Sequence, residues 1–283
     1  MAMSIKGKRR MYSSVTFLLL LALGVMVMLP FVFMIVASFT PTRDIWQGGL
    51  GLRLDMETAT FDNFRALWTY RDGIYWRFFG NSVFVTTVNT TLILIFTSLV
   101  GYGLGMYQFR GRNFLIVLIL CTMMVPNTIL LLPLFRLLST LGLMDTYRGL
   151  ILPAMVPAFS IFFFRQYCVG LSKEFMEAAR IDGCGEARIF LWIYVPIMIP
   201  AFGAMAILQG MGIWNDFIWP MVVLRTTTNL TLAPGLMTSM TPYGNAFDII
   251  FAGSVMSVIP IIILFLFNQR AFIDGLTVGG VKG

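Results

Sequence analysis

The 283-residue sequence contains no histidine, which removes the commonest general base and the commonest metal ligand together. Charge is scarce: Asp, Glu, Lys and Arg make up 12% of the chain, against about 25% in soluble domains. The three cysteines, Cys121, Cys168 and Cys184, lie far apart and form no C-x-x-C pair. They indicate neither a metal site nor a disulfide framework and read as reduced thiols. Lysine occurs at four positions, none of them in a G-x-x-x-x-G-K-[ST] string, so the sequence carries no phosphate-binding loop of its own.

Apolar residues are what the chain has in abundance. Hydrophobic types make up 58% and aromatics 14%. A soluble fold of this length could neither bury so much apolar surface nor cover it with so few charges. A soluble enzyme, a disordered chain and a fibre are excluded, and a polytopic all-α membrane protein is expected.

A hydrocarbon core of about 30 Å needs about 20 apolar residues per helix. Charge-free stretches run over Val15–Ser38, Asn81–Tyr107, Phe114–Phe135, Gly149–Phe164, a segment between Ile189 and Asn215, and Ile249–Asn268. These predict six crossings with both termini on one side. Pro30, Pro126, Pro196 and Pro260 fall in or near these stretches and read as kinks rather than breaks. The run after Lys6–Arg10 is too long for a cleaved signal and reads as an anchor. On this topology the side holding the termini carries 12 basic and 5 acidic residues, and the other carries 8 of each. The whole formal charge of +7 therefore lies on one face, which makes the termini cytoplasmic and requires no nucleic acid partner.

Between the fourth and fifth spans lies an inner loop, about 165–188, with the sequence RQYCVGLSKEFMEAARIDGCGEAR. Ser172 can cap a helix that runs to Ile181, and Glu174 in its first turn suits the helix dipole. Glu177 and Arg180 share a face. Ala178 and Ala179 leave shallow spots for close approach, and Gly183 and Gly185 permit a sharp turn. The loop reads as a cytoplasmic helix–turn–helix knob offering Phe175 and Met176 with a charged rim. Packing within the chain and docking of another protein both remain open on this reading. In the outer loop after span one, Phe61–Trp68 predicts a short amphipathic helix, either a plain surface element or a packing collar.

The string Glu177-Ala178-Ala179-x-x-Asp182-Gly183, with Ile193-x-Val195-Pro196 further on, resembles the EAA motif of ABC transporter permeases. Cys184 stands where alanine is usual and Val195 where leucine is. Asn81-Ser82, Leu141-Gly142-Leu143-Met144-Asp145-Thr146, Phe164-Arg165-Gln166, Trp214-Asn215-Asp216 and the ending Gly279-Gly280-Val281-Lys282-Gly283 are similar to the carbohydrate-uptake branch, MalG-like in its tail. The resemblance covers about 61–283. It implies a type I importer fold divided into 1–79 (N-terminus, first helix and outer loop), 80–270 (permease core) and 271–283 (cytoplasmic tail).

It further implies a non-catalytic, multi-pass subunit of the bacterial inner membrane. Its partners would be a second, MalF-like permease subunit, two ATP-binding subunits and an extracytoplasmic solute-binding protein. ATP and Mg would be bound by the partner chains and no cofactor by this one. The transported solute would be a di- or oligosaccharide, with glycerol phosphate as the alternative within the branch. By the same analogy Glu177, Ala178, Ala179, Arg180, Asp182 and Gly183 contact the ATPase, with Glu177 meeting an arginine there. Gly279, Gly280 and Lys282 form a docking tail, and the outer loop 226–248 resembles a scoop reaching into the binding protein. Polar residues in or beside spans, Asn89, Asn127, Trp214, Asn215 and Asp216, are candidates for lining the translocation pathway. They can equally bond to neighbouring helices.

Overall fold

A computed structural model of the chain describes residues 5–48, 58–241 and 244–277. Its elements are almost all helical and divide into two compact units. The first unit (residues 1–73 and 239–256) holds α1 (Ile5–Phe39), α2 (Thr42–Gly48) and α3 (Asp62–Thr69). It also contains a two-residue pairing of β1 (Met240–Thr241) with β2 (Gly244–Asn245). The long C-terminal helix α15 (Phe247–Thr277) starts in this unit, and its residues from 257 onward belong to the second. The predicted amphipathic helix is α3. Its buried Asn63 donates from Nδ2 to the Ser38 and Thr40 carbonyls at 3.0 and 2.8 Å, satisfying acceptors left free where α1 ends. Phe39 packs edge-on against Phe61 beside it.

The second unit (74–238 and 257–283) contains the remaining helices. They are α4 (Ile74–Met106), α5 (Arg112–Met123), α6 (Asn127–Thr140), α7 (Tyr147–Ala154), α8 (Ala158–Val169), α9 (Glu174–Ile181) and α10 (Glu186–Ile189). After a π-helical turn at Phe190–Tyr194 come α11 (Val195–Ile197), α12 (Ile199–Trp214), α13 (Ile218–Val223) and, after a 3₁₀ turn at Thr227–Asn229, α14 (Leu232–Met237). Among the described residues, three helices are long and apolar enough to cross a membrane singly: α1, α4 and α15. The other three predicted stretches are broken pairs, bent by 98° between α5 and α6, 42° between α7 and α8, and 75° between α10–α11 and α12.

Proline explains two of these breaks. Pro126 and Pro157 both sit in extended conformation ahead of α6 and α8. Proline has no N–H to give the preceding turn, and its ring clashes with the carbonyl four residues back. The sequence predicts a kink at Pro126, yet the helix stops there and restarts in a new direction. Pro30 and Pro260, by contrast, lie inside continuous helices.

α4 organises the second unit. Its buried positions Ser82, Val85, Asn89, Ile93 and Thr97 follow helical spacing down one side. Below them, Gly101 and Gly105 lie one turn apart against α8. A Cβ on Gly101 would come within 2.6 Å of the Phe164 Cβ, and one on Gly105 within 2.6 Å of the Cys168 Cβ. Only hydrogen fits at either place, so the backbones approach as small-x-x-x-small pairs allow in membrane helices. α8 is tied in turn to α12 by Gln209, which donates from Nε2 to Ser160 Oγ at 2.9 Å.

Candidate functional site

The loop between α8 and α12 folds as the sequence leads one to expect. Ser172 Oγ accepts the Glu174 amide at 3.2 Å, capping α9, which ends at Ile181. Gly183 then takes φ +77, and the Cys184 amide reaches back to the Ala179 carbonyl at 2.9 Å. This left-handed glycine closure satisfies carbonyls the helix end would otherwise strand. Gly185 is extended and opens α10 without needing a special conformation.

The two alanines of the motif do different jobs. Met176 and Ala179 are buried in a cluster with Tyr102, Phe164, Cys168, Tyr194 and Met198, so α9 is rooted in α4, α8 and the start of the fifth stretch. Phe175, Ala178 and Ile181, spaced by three, point outward, Ile181 at 87% exposure. Glu174, Glu177 and Asp182 are exposed around them. The outward face is therefore apolar with an acidic rim. Met176, expected on this face, is turned inward.

Arg180 pairs with Glu186 of the next helix. Its Nε donates to Glu186 Oε1 at 2.8 Å, and its guanidinium lies over the Tyr107 ring, 5.8 Å from the centroid. The Tyr107 hydroxyl donates to the second oxygen of the same carboxylate. Tyr102 and Tyr107 hydroxyls lie 3.4 Å apart. Tyr194 donates its hydroxyl to the Ser172 carbonyl at 3.1 Å. The loop is thus fastened to the end of α4 by side chains of three elements.

Of the pathway candidates, Asn89 and Asp216 face one recess and the other three do not. Asn89 is 2% exposed on the inner face of α4, and Asp216 lies just beyond α12 with Oδ1 accepting the Trp219 amide at 3.4 Å. Burial raises the Asp216 carboxyl above the usual range despite amide hydrogen bonds that lower it. Trp214 is buried, donates from Nε1 to the Ser257 carbonyl at 3.1 Å and packs edge-on against Phe79. Asn215 is exposed and donates to the Met211 carbonyl, and Asn127 is exposed at the start of α6. The tail residues Gly279, Gly280 and Lys282 lie outside the described residues.

Residues 97–277 match the model of a family described as binding-protein-dependent transport system inner membrane component. The chain belongs to this family of ABC import permeases. It is 53% identical over 254 residues to an arabinooligosaccharide transport permease, AraQ, of Halalkalibacterium halodurans, covering 90% of this chain and 91% of the relative. It is 45% identical to AraQ of Bacillus subtilis, with 94% of each chain covered. A lactose transport permease, LacG, of Rhizobium radiobacter is 31% identical over 97% of this chain and 98% of its own length. Among solved structures, a bacterial ABC transporter involved in import of the acidic polysaccharide alginate superposes with TM-score 0.83 at 25% identity. That match covers 96% of this chain and 99% of the other.

Three motif residues of the permease have roles that the sequence left unstated. Asp145, at φ +59, accepts at Oδ1 from the Arg225 and Thr226 amides at 3.0 and 3.1 Å, and at Oδ2 from the Thr226 hydroxyl. Burial alone would raise its carboxyl; these bonds and Asn229 outweigh it and hold the pKa at about 2. Asn81 donates from Nδ2 to the Thr228 and Leu230 carbonyls, both at 2.9 Å, and the neighbouring Ser82 Oγ accepts the Leu232 amide at 2.7 Å. Together they pin the segment 225–232. Leu232-Ala233-Pro234-Gly235, read as part of a scoop, opens α14, where Pro234 and Gly235 are buried and Gly235 lies against the Phe78 ring. Tyr243 lies outside the described residues.

Proposed function

We propose that this permease is one of two unlike membrane subunits of a sugar importer. It crosses the inner membrane six times with cytoplasmic termini and takes its energy from separate ATP-binding chains, which hold the ATP and Mg. Kinship with the two AraQ proteins supports arabinose-containing oligosaccharides as the cargo, delivered by an extracytoplasmic binding protein.

The observation that carries the coupling role is the outward face of α9. Phe175, Ala178 and Ile181 form an apolar ridge with a small residue at its centre and Glu174, Glu177 and Asp182 on its edge. Exposed apolar side chains on a charged-rim knob suit a protein groove. Ala178 permits close approach, and the acids favour a basic lining. On the opposite side Met176 and Ala179 join the cluster that contains Tyr102, Phe164 and Tyr194. A push on the ridge is thereby delivered to α4 and α8 rather than absorbed in a loose loop. Arg180 serves this reading from inside, by holding α9 to α10 and to Tyr107. The tail from Gly279 is assigned to the same cytoplasmic interface by resemblance.

The test is uptake of radiolabelled arabinotriose by cells lacking the chromosomal gene and complemented with the full chain. Uptake should appear with the gene, collapse when ATP is depleted and persist when the proton gradient is dissipated. Uptake that follows the proton gradient instead would refute the ATP-driven reading.

A further inference from the structure

A recess of about 50 Å³ lies inside the second unit, between α4, α7 and the segments that follow α12. Ser82, Thr86 and Asn89 face it from successive turns of α4, Asp216 and Trp219 from beyond α12, and Thr231 from the pinned segment. Aliphatic side chains and Pro220 complete the wall. Two of its polar atoms are buried without a hydrogen-bond partner: Asn89 Oδ1 and Thr231 Oγ1, on side chains 2% and 6% exposed. A buried polar group left in this state costs free energy, so the position asks for a molecule that completes it.

The lining specifies the chemistry. Asn89 Oδ1 and the Asp216 carboxylate accept hydrogen bonds, while the Thr231 hydroxyl can donate or accept one. A hydroxyl can donate to Asn89 Oδ1 while accepting from the Thr231 hydroxyl, which completes both unpartnered atoms, and Asp216 Oδ1 already accepts the Trp219 amide. Among the described residues no lysine or arginine faces the recess, and Asp216 would repel an anion. One water molecule needs about 10–15 Å³ of room measured in this way, so the recess holds a small polar group such as a hydroxymethyl arm.

We propose that this recess is a hydroxyl subsite on the translocation path, which takes one hydroxymethyl group of the passing sugar between Asn89, Thr231 and Asp216. It rests on the sugar-importer reading above and adds to it the residues of this subunit that touch the cargo. Water fills the recess between transport events, and the sugar hydroxyl displaces it while keeping its hydrogen bonds.

The experiment compares uptake of arabinotriose with that of an analogue whose terminal residue is 5-deoxy, in wild type, Asn89→Leu and Thr231→Val. Amounts in the membrane are matched by immunoblot. Discrimination by the binding protein is common to all three strains and cancels in the ratio. Wild type should prefer arabinotriose, and each substitution should cut that preference about tenfold, the worth of one hydrogen bond. Thr231→Val keeps the side-chain volume, so it reads the hydroxyl even where Asn89→Leu fails to accumulate. No preference in wild type, or a preference unchanged in Thr231→Val, overturns the subsite while leaving the importer reading intact. Failure of wild type to take up arabinotriose removes the reading beneath it.

Discussion

Replacing Gly105 by alanine adds one methyl group where α4 meets α8, and its effect follows from the geometry. The new Cβ would stand 2.6 Å from the Cys168 Cβ and 3.2 Å from the Arg165 carbonyl oxygen. Carbon atoms rest at about 3.5–4.0 Å, so the helices must part by about 1 Å. The obstacle is a β-carbon and a backbone oxygen, neither of which can rotate away. Overpacking of this kind costs about 1–3 kcal/mol, against a gain of up to about 1 kcal/mol in helix propensity. The net expectation is a loss of about 1–2 kcal/mol.

Gly103, on the same helix, has nothing within 4 Å of its added Cβ and supplies the control. Heating the detergent-solubilised permease and following the remaining monodisperse fraction should show Gly105→Ala melting several degrees below wild type. Gly103→Ala should melt at or above it. Because α8 leads through residues 170–173 into α9, the same displacement should lower uptake. Equal melting of the two variants would refute the close-packing argument.

The remaining predictions concern the loops. Asp145 has its folded pKa at about 2, below the 3.8 of the free side chain. Its contribution is therefore full above the unfolded value and is lost as pH falls towards the folded one. Melting temperature should fall more steeply between about pH 5 and about pH 2.5 in wild type than in Asp145→Asn, and matching slopes would count against the pinning role. At the knob, Ala178→Trp should leave the permease inserted but stop uptake, since Ala178 is exposed and the ridge loses its close approach. Ala179→Trp should instead lower the amount of folded permease, because Ala179 is 6% exposed in the cluster beneath. Uptake preserved in Ala178→Trp would end the docking assignment.

Much of the architecture was legible in the residues because bilayer physics speaks through composition. Long apolar runs marked α1, α4 and α15, and Ser172, Ile181 and Gly183 bounded α9 as local capping rules require. The broken stretches were less legible. Proline within an apolar run is compatible with a kink or a stop, and only its surroundings decide. Met176 was misplaced for a related reason. Helical spacing fixes which residues share a face, but the neighbour on that face comes from elsewhere in the chain. Arg180 shares a turn with Glu177, yet it meets Glu186 because the left-handed turn at Gly183 brings α10 back alongside.

Asn89 and Thr231 show the same limit more sharply, being 142 positions apart in the sequence. Neither residue points to the other when the chain is read along its length. They share a recess because Asn81 and Ser82, eight and seven residues earlier on α4, hold Leu230 and Leu232 by the backbone. The motif pair that opens the second stretch thus acts as a positioning device for Thr231. It fixes the residue between Leu230 and Leu232 against the face of α4 that carries Asn89 about two turns further along. The pair has no chemistry of its own, yet without it nothing in the local sequence would keep Thr231 opposite Asn89.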